Sequence, residues 1–287
     1  MSNKAKGIFY IVLSALSFSF MSLFIKLSGD IPTLQKAFFR NFVAAFVAVF
    51  LLAKQHIKVK DCVEKKSLPY VFGRAFFGTV GLFCNFYAID HLHIADASML
   101  NKLSPFFAIL FSYIILKECI ARYQIVCVCC ALIGAACILK PDGGTLVSMP
   151  ALIALIGGMC AGLAYTLLRK ARSMNVPGAF IVFFFSFFSC ICTLPYCILH
   201  FTPMTTIQVI YLLLTGLAAA FGQFFITAAY SYAPAKELSV YDYSNVIFTG
   251  ILGLIVLGEV PDALSYIGCI IIIGTSVAMY RIGRREA

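Results

Sequence analysis

The chain of 287 residues carries one stretch of sequence twice. Residues 70–99, YVFGRAFFGTVGLFCNFYAIDHLHIADASM, align without a gap on residues 211–240, YLLLTGLAAAFGQFFITAAYSYAPAKELSV. The offset of 141 puts Tyr70 on Tyr211, Gly81 on Gly222 and Asp96 on Glu237, and carries Glu118 of IILKE onto Glu259 of IVLGE. Lys26, which ends the first apolar segment, falls near Lys170, which ends the sixth. A duplicated unit limits the folds available. If each copy holds an odd number of membrane spans, the second must lie upside down relative to the first, the plan on which secondary transporters are built.

Composition places the chain in a membrane. It is 62% hydrophobic and 12% charged, against ~45–50% and ~25% for a soluble domain. One buried core cannot absorb that excess, because too few polar side chains remain to make a wet surface. The net charge of +10 reads as loop charge that orients helices, and no nucleic-acid partner is expected. Most of the 12 Cys, Cys84 and Cys160 among them, lie in apolar runs, where Cys acts as a small hydrophobe. Lys4 and Lys6 before an apolar run look like the start of a signal peptide. The run from Gly7 to Leu27 is long enough to span, however, and its counterpart near Ala151–Ala171 is structural, so it reads as the first span.

A span needs ~20 mostly apolar residues. Spans are expected at 7–27, 32–53, 69–89, 94–116, 119–139, 150–171, 177–200, 207–229, 235–257 and 261–281. That makes an all-α polytopic membrane protein of ten transmembrane helices. The first five-helix repeat is 1–145 and the second, 146–287. With the N-terminus inside, 16 of the 22 Lys and Arg fall in cytoplasmic segments. Only Lys26, Lys36 and Lys140 fall outside, and Arg40, Arg74 and Lys102 fall within spans. This bias predicts both termini in the cytoplasm of a cell whose inner membrane holds the chain. Five is odd, so the repeats are inverted. Small residues recur at close spacing, as in Gly158-x-x-x-Gly162, and read as packing within one chain. A monomer and a homodimer both remain open.

These features resemble the drug/metabolite transporter superfamily, in particular its ten-helix EamA-type members. The resemblance rests on the duplicated five-helix unit and on the span-two arginine in AFFRNFVAAFVAVFLL. It rests also on the runs LSPFFAILFSYIILKE and VIFTGILGLIVLGEVPD, each followed by a Gly-bearing helix. It implies a bundle in which spans one to four and six to nine surround a cavity, with the fifth and tenth peripheral. The pattern departs in one place: Pro105 has Val246 as its partner, so a bend in span nine is expected either from Gly250 or Gly253 or not at all.

Charges at bilayer depth cost ~2.5–3.5 kcal/mol on insertion scales, so they face a cavity or a partner. Span two offers Lys36 and Arg40 on one helix face. Lys36 lies near the outer boundary, where snorkelling competes with a cavity role, and Arg40 lies deeper. Span four offers Asn101 and Lys102, and span nine Tyr241, Asp242, Tyr243 and Asn245. Asp242 is open to three readings: a partner for Lys102 or Arg40, a ligand for a substrate amine, and a proton-coupling carboxylate. Asn85 and Gln223 are candidate cavity amides. Basic groups cluster in the first repeat and the deep acid lies in the second, which suits a small anionic or zwitterionic substrate.

The expected function is secondary transport of a small polar metabolite by alternating access, with a proton or ion as a coupling partner. The alternative in the same class is a proton-coupled exporter of lipophilic drugs or excess amino acids. An intramembrane lipid-modifying enzyme is the different-class alternative. Against it, there is no HExxH, no Gly-rich phosphate loop and no nucleophile beside an intramembrane base. Neither a cofactor nor a metal is expected, His91-Leu-His93 being read as solvated loop.

Overall fold

The computed structural model describes residues 3–54, 65–117, 121–139, 148–232 and 241–285. These residues form α1 (Asn3–Leu27), α2 (Thr33–Lys54), α3 (Leu68–His91), α4 (Ile94–Asn101), α5 (Ser104–Phe111), α6 (Arg122–Leu139), α7 (Met149–Ser173), α8 (Gly178–Leu199), α9 (Thr206–Tyr232), α10 (Ser244–Leu252) and α11 (Ala263–Arg285). No strand occurs among them. Among the described residues, seven segments are long and apolar enough by themselves to cross a membrane; α4 and α5 together make one of them. Two shorter apolar segments, Arg122–Cys137 and Ser244–Leu257, and the 24-residue α3 complete ten.

Packing follows a two-fold rule. The helix of span one (α1) lies on that of span eight (α9), and span three (α3) lies on span six (α7). Exchanging each span for the one five places away turns the first contact into the second. The same exchange relates α2·α9 to α3·α8 and α4–α5·α7 to α10·α1, and it maps α2·α8 and α6·α11 onto themselves. Ten spans in two five-helix copies, each contacting the other in this reciprocal way, make an inverted repeat.

Lipid explains which residues face out. On α2, Gln35, Lys36, Arg40, Asn41, Ala44 and Ala48 are buried, while Phe42, Phe46, Val49 and Phe50 are exposed. In water that pattern would be inside out; in hydrocarbon it puts apolar rings against acyl chains and polar groups against protein. Lipid tails are as apolar as Leu, so burial alone holds the helices together weakly and close approach matters more. A Cβ added at Gly158 would come within 2.7 Å of the Leu100 carbonyl, and one at Gly162 within 2.7 Å of the Ser104 carbonyl. The Gly158/Gly162 pair therefore seats α7 against the α4–α5 break inside the same chain.

Span four is broken at its proline: α4 ends at Asn101 and α5 begins at Ser104, with Pro105 in its first turn. Span nine is broken too, and there the expectation needs correction. Gly250 and Gly253 do not supply the bend; the turn lies at Tyr243, immediately before α10. Its cause is local. The Ser244 hydroxyl donates to the Tyr241 carbonyl at 2.7 Å, offering the backbone a partner in place of the helical ladder. The two breaks thus fall at equivalent places with and without proline.

Each broken span ends in a π-helical turn, Ser112–Leu116 and Gly253–Leu257, related by the offset of 141 seen in sequence. Both turns close on a left-handed residue, Gly258 (φ 67°) in one copy and Lys117 (φ 56°) in the other. Left-handed backbone costs a residue with a Cβ about 1 kcal/mol or more relative to glycine. The Lys117 side chain is exposed. Lys117→Gly is therefore expected to stabilise the protein by about 1 kcal/mol, read as a rise in thermal midpoint, whereas Gly258→Lys lowers it.

Candidate functional site

The two breaks face each other at the centre of the bundle. Around them lies a cavity of about 130 Å³. Its walls come from α1 (Phe18, Met21, Ser22), α2 (Arg40), α3 (Arg74, Gly78, Asn85), the first break (Asn101, Lys102), α7 (Tyr165), α8 (Phe185), α9 (Gln223) and the second break (Asp242, Asn245). Neither α6 nor α11 contributes, as a peripheral fifth and tenth span require. Pockets for drug-sized ligands run to ~300–1,000 Å³. In this conformation there is room for a small cargo or for the charged end of a larger one.

The charges in this cavity divide into two sets. Lys102 Nζ and Asp242 Oδ2 lie 2.6 Å apart, each side chain less than a fifth exposed. Of the three readings open to Asp242, the structure realises the pairing with Lys102. The pair joins the break of one repeat to the break of the other, and Tyr243 reinforces it by donating its hydroxyl proton to the Lys102 carbonyl at 3.0 Å. Asp242 Oδ1 is buried and has no hydrogen-bond partner among the described residues.

Arg40 and Arg74 form the second set. They are 3% and 7% exposed, yet neither has a carboxylate within ion-pair distance among the described residues. Their guanidinium carbons lie 5.6 and 4.5 Å from the centre of one ring, that of Phe185. Arg40 Nη1 donates to Asn41 Oδ1 at 2.6 Å, and Asn41 Nδ2 in turn donates to Ser189 Oγ on α8 at 2.8 Å. Nε of each arginine is buried without a partner among the described residues. Two unit charges within about 10 Å repel by roughly 2 kcal/mol at an effective dielectric near 20. Neutral groups thus orient both cations without neutralising either.

The structure brings together seven of the ten residues singled out in sequence: Arg40, Asn85, Asn101, Lys102, Gln223, Asp242 and Asn245 all line the cavity. Asn245 also staples α10 to α1, donating to the Ala15 carbonyl and to Ser19 Oγ. Three lie elsewhere. Lys36 neither snorkels nor reaches the cavity: it is 1% exposed and pairs with Asp90 Oδ1 at 2.6 Å, closing α2 onto α3. Tyr243 is packed between the breaks, and Tyr241 packs with Ile11 and Ala229. Arg74 and Phe185 are the residues sequence reasoning passed over. The usable signal for Arg74 was its depth, since an arginine inside a span is costly wherever it falls.

A network of polar contacts closes the end of the bundle opposite the termini. Lys26 Nζ donates to the Ile89 and Leu92 carbonyls at 2.9 and 2.6 Å and pairs with Glu259 at 3.3 Å. Glu259 accepts the Ile94 amide proton at 2.8 Å. Gln35 and Thr202 exchange two hydrogen bonds of 3.0 Å, and Gln208 Nε2 donates to the Ser28 carbonyl at 3.2 Å. Glu259 is thus architectural, and its repeat partner Glu118 lies outside the described residues.

Known proteins resemble this chain. The chain is 31% identical over 277 residues to the pseudopaline exporter CntI of Pseudomonas aeruginosa (strain UCBPP-PA14), covering 96% of each. It is 26% identical to solute carrier family 35 member G1 of Mus musculus, over 96% of this chain and 78% of that one. A crystal structure of another protein superposes with a TM-score of 0.69 over 98% of this chain and 99% of that one at 15% identity, so the fold is shared. The model of the EamA-like transporter family matches twice, over residues 5–140 and 148–281. Two matched repeats, a reciprocal five-helix packing and a charged cavity at their interface agree: the chain belongs to the EamA-like transporter family and is a multi-pass membrane transporter.

Proposed function

We propose that this protein is a secondary-active transporter that moves a small anionic or zwitterionic metabolite by alternating access. The halves 1–145 and 146–287 would rock around the cavity between them. The observation that carries the reading is the cavity itself, which sits at the repeat interface and holds two buried guanidiniums without an acid partner among the described residues. A lipophilic cargo would leave both cations facing apolar surface, a costly arrangement; an anion offsets that cost. Similarity to a pseudopaline exporter supports export as the direction. The count of cationic loop residues supports an orientation with both termini cytoplasmic in the cell's inner membrane. The free Asp242 Oδ1 supports a proton as the coupling ion.

The test is uptake into proteoliposomes from a panel of labelled amino acids and carboxylates, with a cationic amino acid for comparison. Saturable uptake of anionic or zwitterionic members is expected. A charge-assisted hydrogen bond contributes ~1.5–3 kcal/mol, so Arg40→Ala should lower uptake about 10- to 100-fold. Equal uptake by wild type and Arg40→Ala, or preference for the cation, would sink this assignment.

A further inference from the structure

We propose that Arg40 and Arg74, held against the ring of Phe185, form a subsite for a dianionic group: two carboxylates of one substrate, or one phosphate. The inference rests on the transport reading and specifies the charge of the cargo.

Charge balance is the first argument. Lys102 and Asp242 neutralise each other, and the other described ion pairs engage Lys26 with Glu259 and Lys36 with Asp90. The cavity wall is left with two positive charges, both more than nine-tenths buried, on Arg40 and Arg74. A monoanion would balance one of them, while a dianion balances both and removes their mutual repulsion.

Geometry is the second argument. A guanidinium presents a planar fork of donors suited to carboxylate and phosphate oxygens. Stacking on an aromatic face leaves those donors unspent, because the ring takes up the cation's flat side and no N–H. Asn41 accepts one proton of Arg40 and fixes its direction. Both Nε–H groups, which belong to the fork, are buried and unmatched among the described residues. On α3, Gly78 lies one turn from Arg74, and a Cβ there would collide with Arg74 Nη1 and sit 3.1 Å from Phe185 Cε2. The glycine makes room for the guanidinium to lie against the ring. Neutral groups orient the two cations, no carboxylate among the described residues pairs with either, and both side chains line the same cavity.

A packing role for the cation–π contacts is the competing explanation, and stability separates the two. If the arginines serve packing, Arg74→Gln lowers the thermal midpoint without ligand. If they form an anion subsite, removing one of two repelling cations leaves that midpoint unchanged or raised.

The experiment uses purified full-chain protein in nanodiscs, with thermal unfolding followed at constant ionic strength in succinate, inorganic phosphate or butyrate. A dianion near saturation is expected to raise the midpoint by a few degrees, and butyrate to leave it unmoved. A shift with succinate alone identifies two carboxylates, and a shift with phosphate alone identifies one doubly charged group. Arg40→Gln and Arg74→Gln should each lose the shift, while Arg122→Gln, at the exposed start of α6, keeps it. Gly78→Ala, which crowds Arg74 against the ring without removing its charge, should lose the shift in the same way, and an Arg74→Gln variant that does not fold counts for the packing explanation. The proposal is overturned if butyrate stabilises as well as the dianions, if neither dianion shifts the midpoint, or if the shift survives in the arginine variants. Saturable uptake that persists through such a failure leaves the transport reading standing without this subsite.

Discussion

Lys102→Met is expected to destabilise the bundle by about 3 kcal/mol and to abolish transport, whereas the double variant Lys102→Met/Asp242→Asn should recover most of the stability and none of the transport. The pair is short (2.6 Å) and largely buried. Removing one member leaves an uncompensated charge, which typically costs about 3–5 kcal/mol, while removing both charges is often neutral. The lower figure applies because both groups border the cavity. Asp242 Oδ1 already lacks a partner among the described residues, so the single variant strands the whole carboxylate. Because the pair ties the break of span four to that of span nine, its loss also removes a charged contact between the two halves. A thermal-unfolding double-mutant cycle gives the coupling. A double variant less stable than Lys102→Met would contradict the account, as would a double variant that transports normally.

The second large effect is expected at the closed end of the bundle. Lys26 crosses from α1 to the last turn of α3 and to Glu259, contributing three contacts from one ammonium group. Two of its acceptors are carbonyls at a helix C-terminus, where a cation is favoured by the helix dipole as well as by hydrogen bonding. Lys26→Met leaves Glu259 to the Ile94 amide alone. A loss of about 3 kcal/mol from this closed conformation would shift the balance toward its opposite by roughly 100-fold. The expected result is a faster reaction of a cavity cysteine with reagent applied from that end, with transport slowed because the cycle stalls on one side. Unchanged reactivity from that end would mean that the Lys26–Glu259 contact does not latch it.

Much of the fold was legible because the sequence repeats in a regular way. The offset that aligns Tyr70 with Tyr211 also relates the π turns at Ser112–Leu116 and Gly253–Leu257, and the left-handed residues Lys117 and Gly258. Local sequence decides those features, so the copies share them. The break at Tyr243 was not legible, because proline is a visible helix breaker and the Ser244 hydroxyl is an ordinary residue until its acceptor is known. Site residues divide in the same way. Arg40, Lys102 and Asp242 stand out by charge and depth alone. Lys36 carried the same signal, but its outcome depended on Asp90, which sits at the end of a different helix and looks in sequence like part of a polar loop. Arg74 gains its meaning only when α3 and α8 come together over Phe185, and no spacing within one helix encodes that.

The central claim is that a single site between two inverted halves opens to one side at a time. It is tested most directly with a cysteine placed on the cavity wall at Ser98, which is buried and lines the space, after the 12 native cysteines have been replaced. In proteoliposomes, a membrane-impermeant thiol reagent is applied from one face and then, in a separate experiment, from the other. Alternating access predicts modification from either face, a Lys26→Met shift that speeds reaction from the end opposite the termini while slowing it from the other, and protection by transported solute on both faces. Rapid modification from both faces, with Lys26→Met slowing neither, would mark a continuous pore and contradict the account.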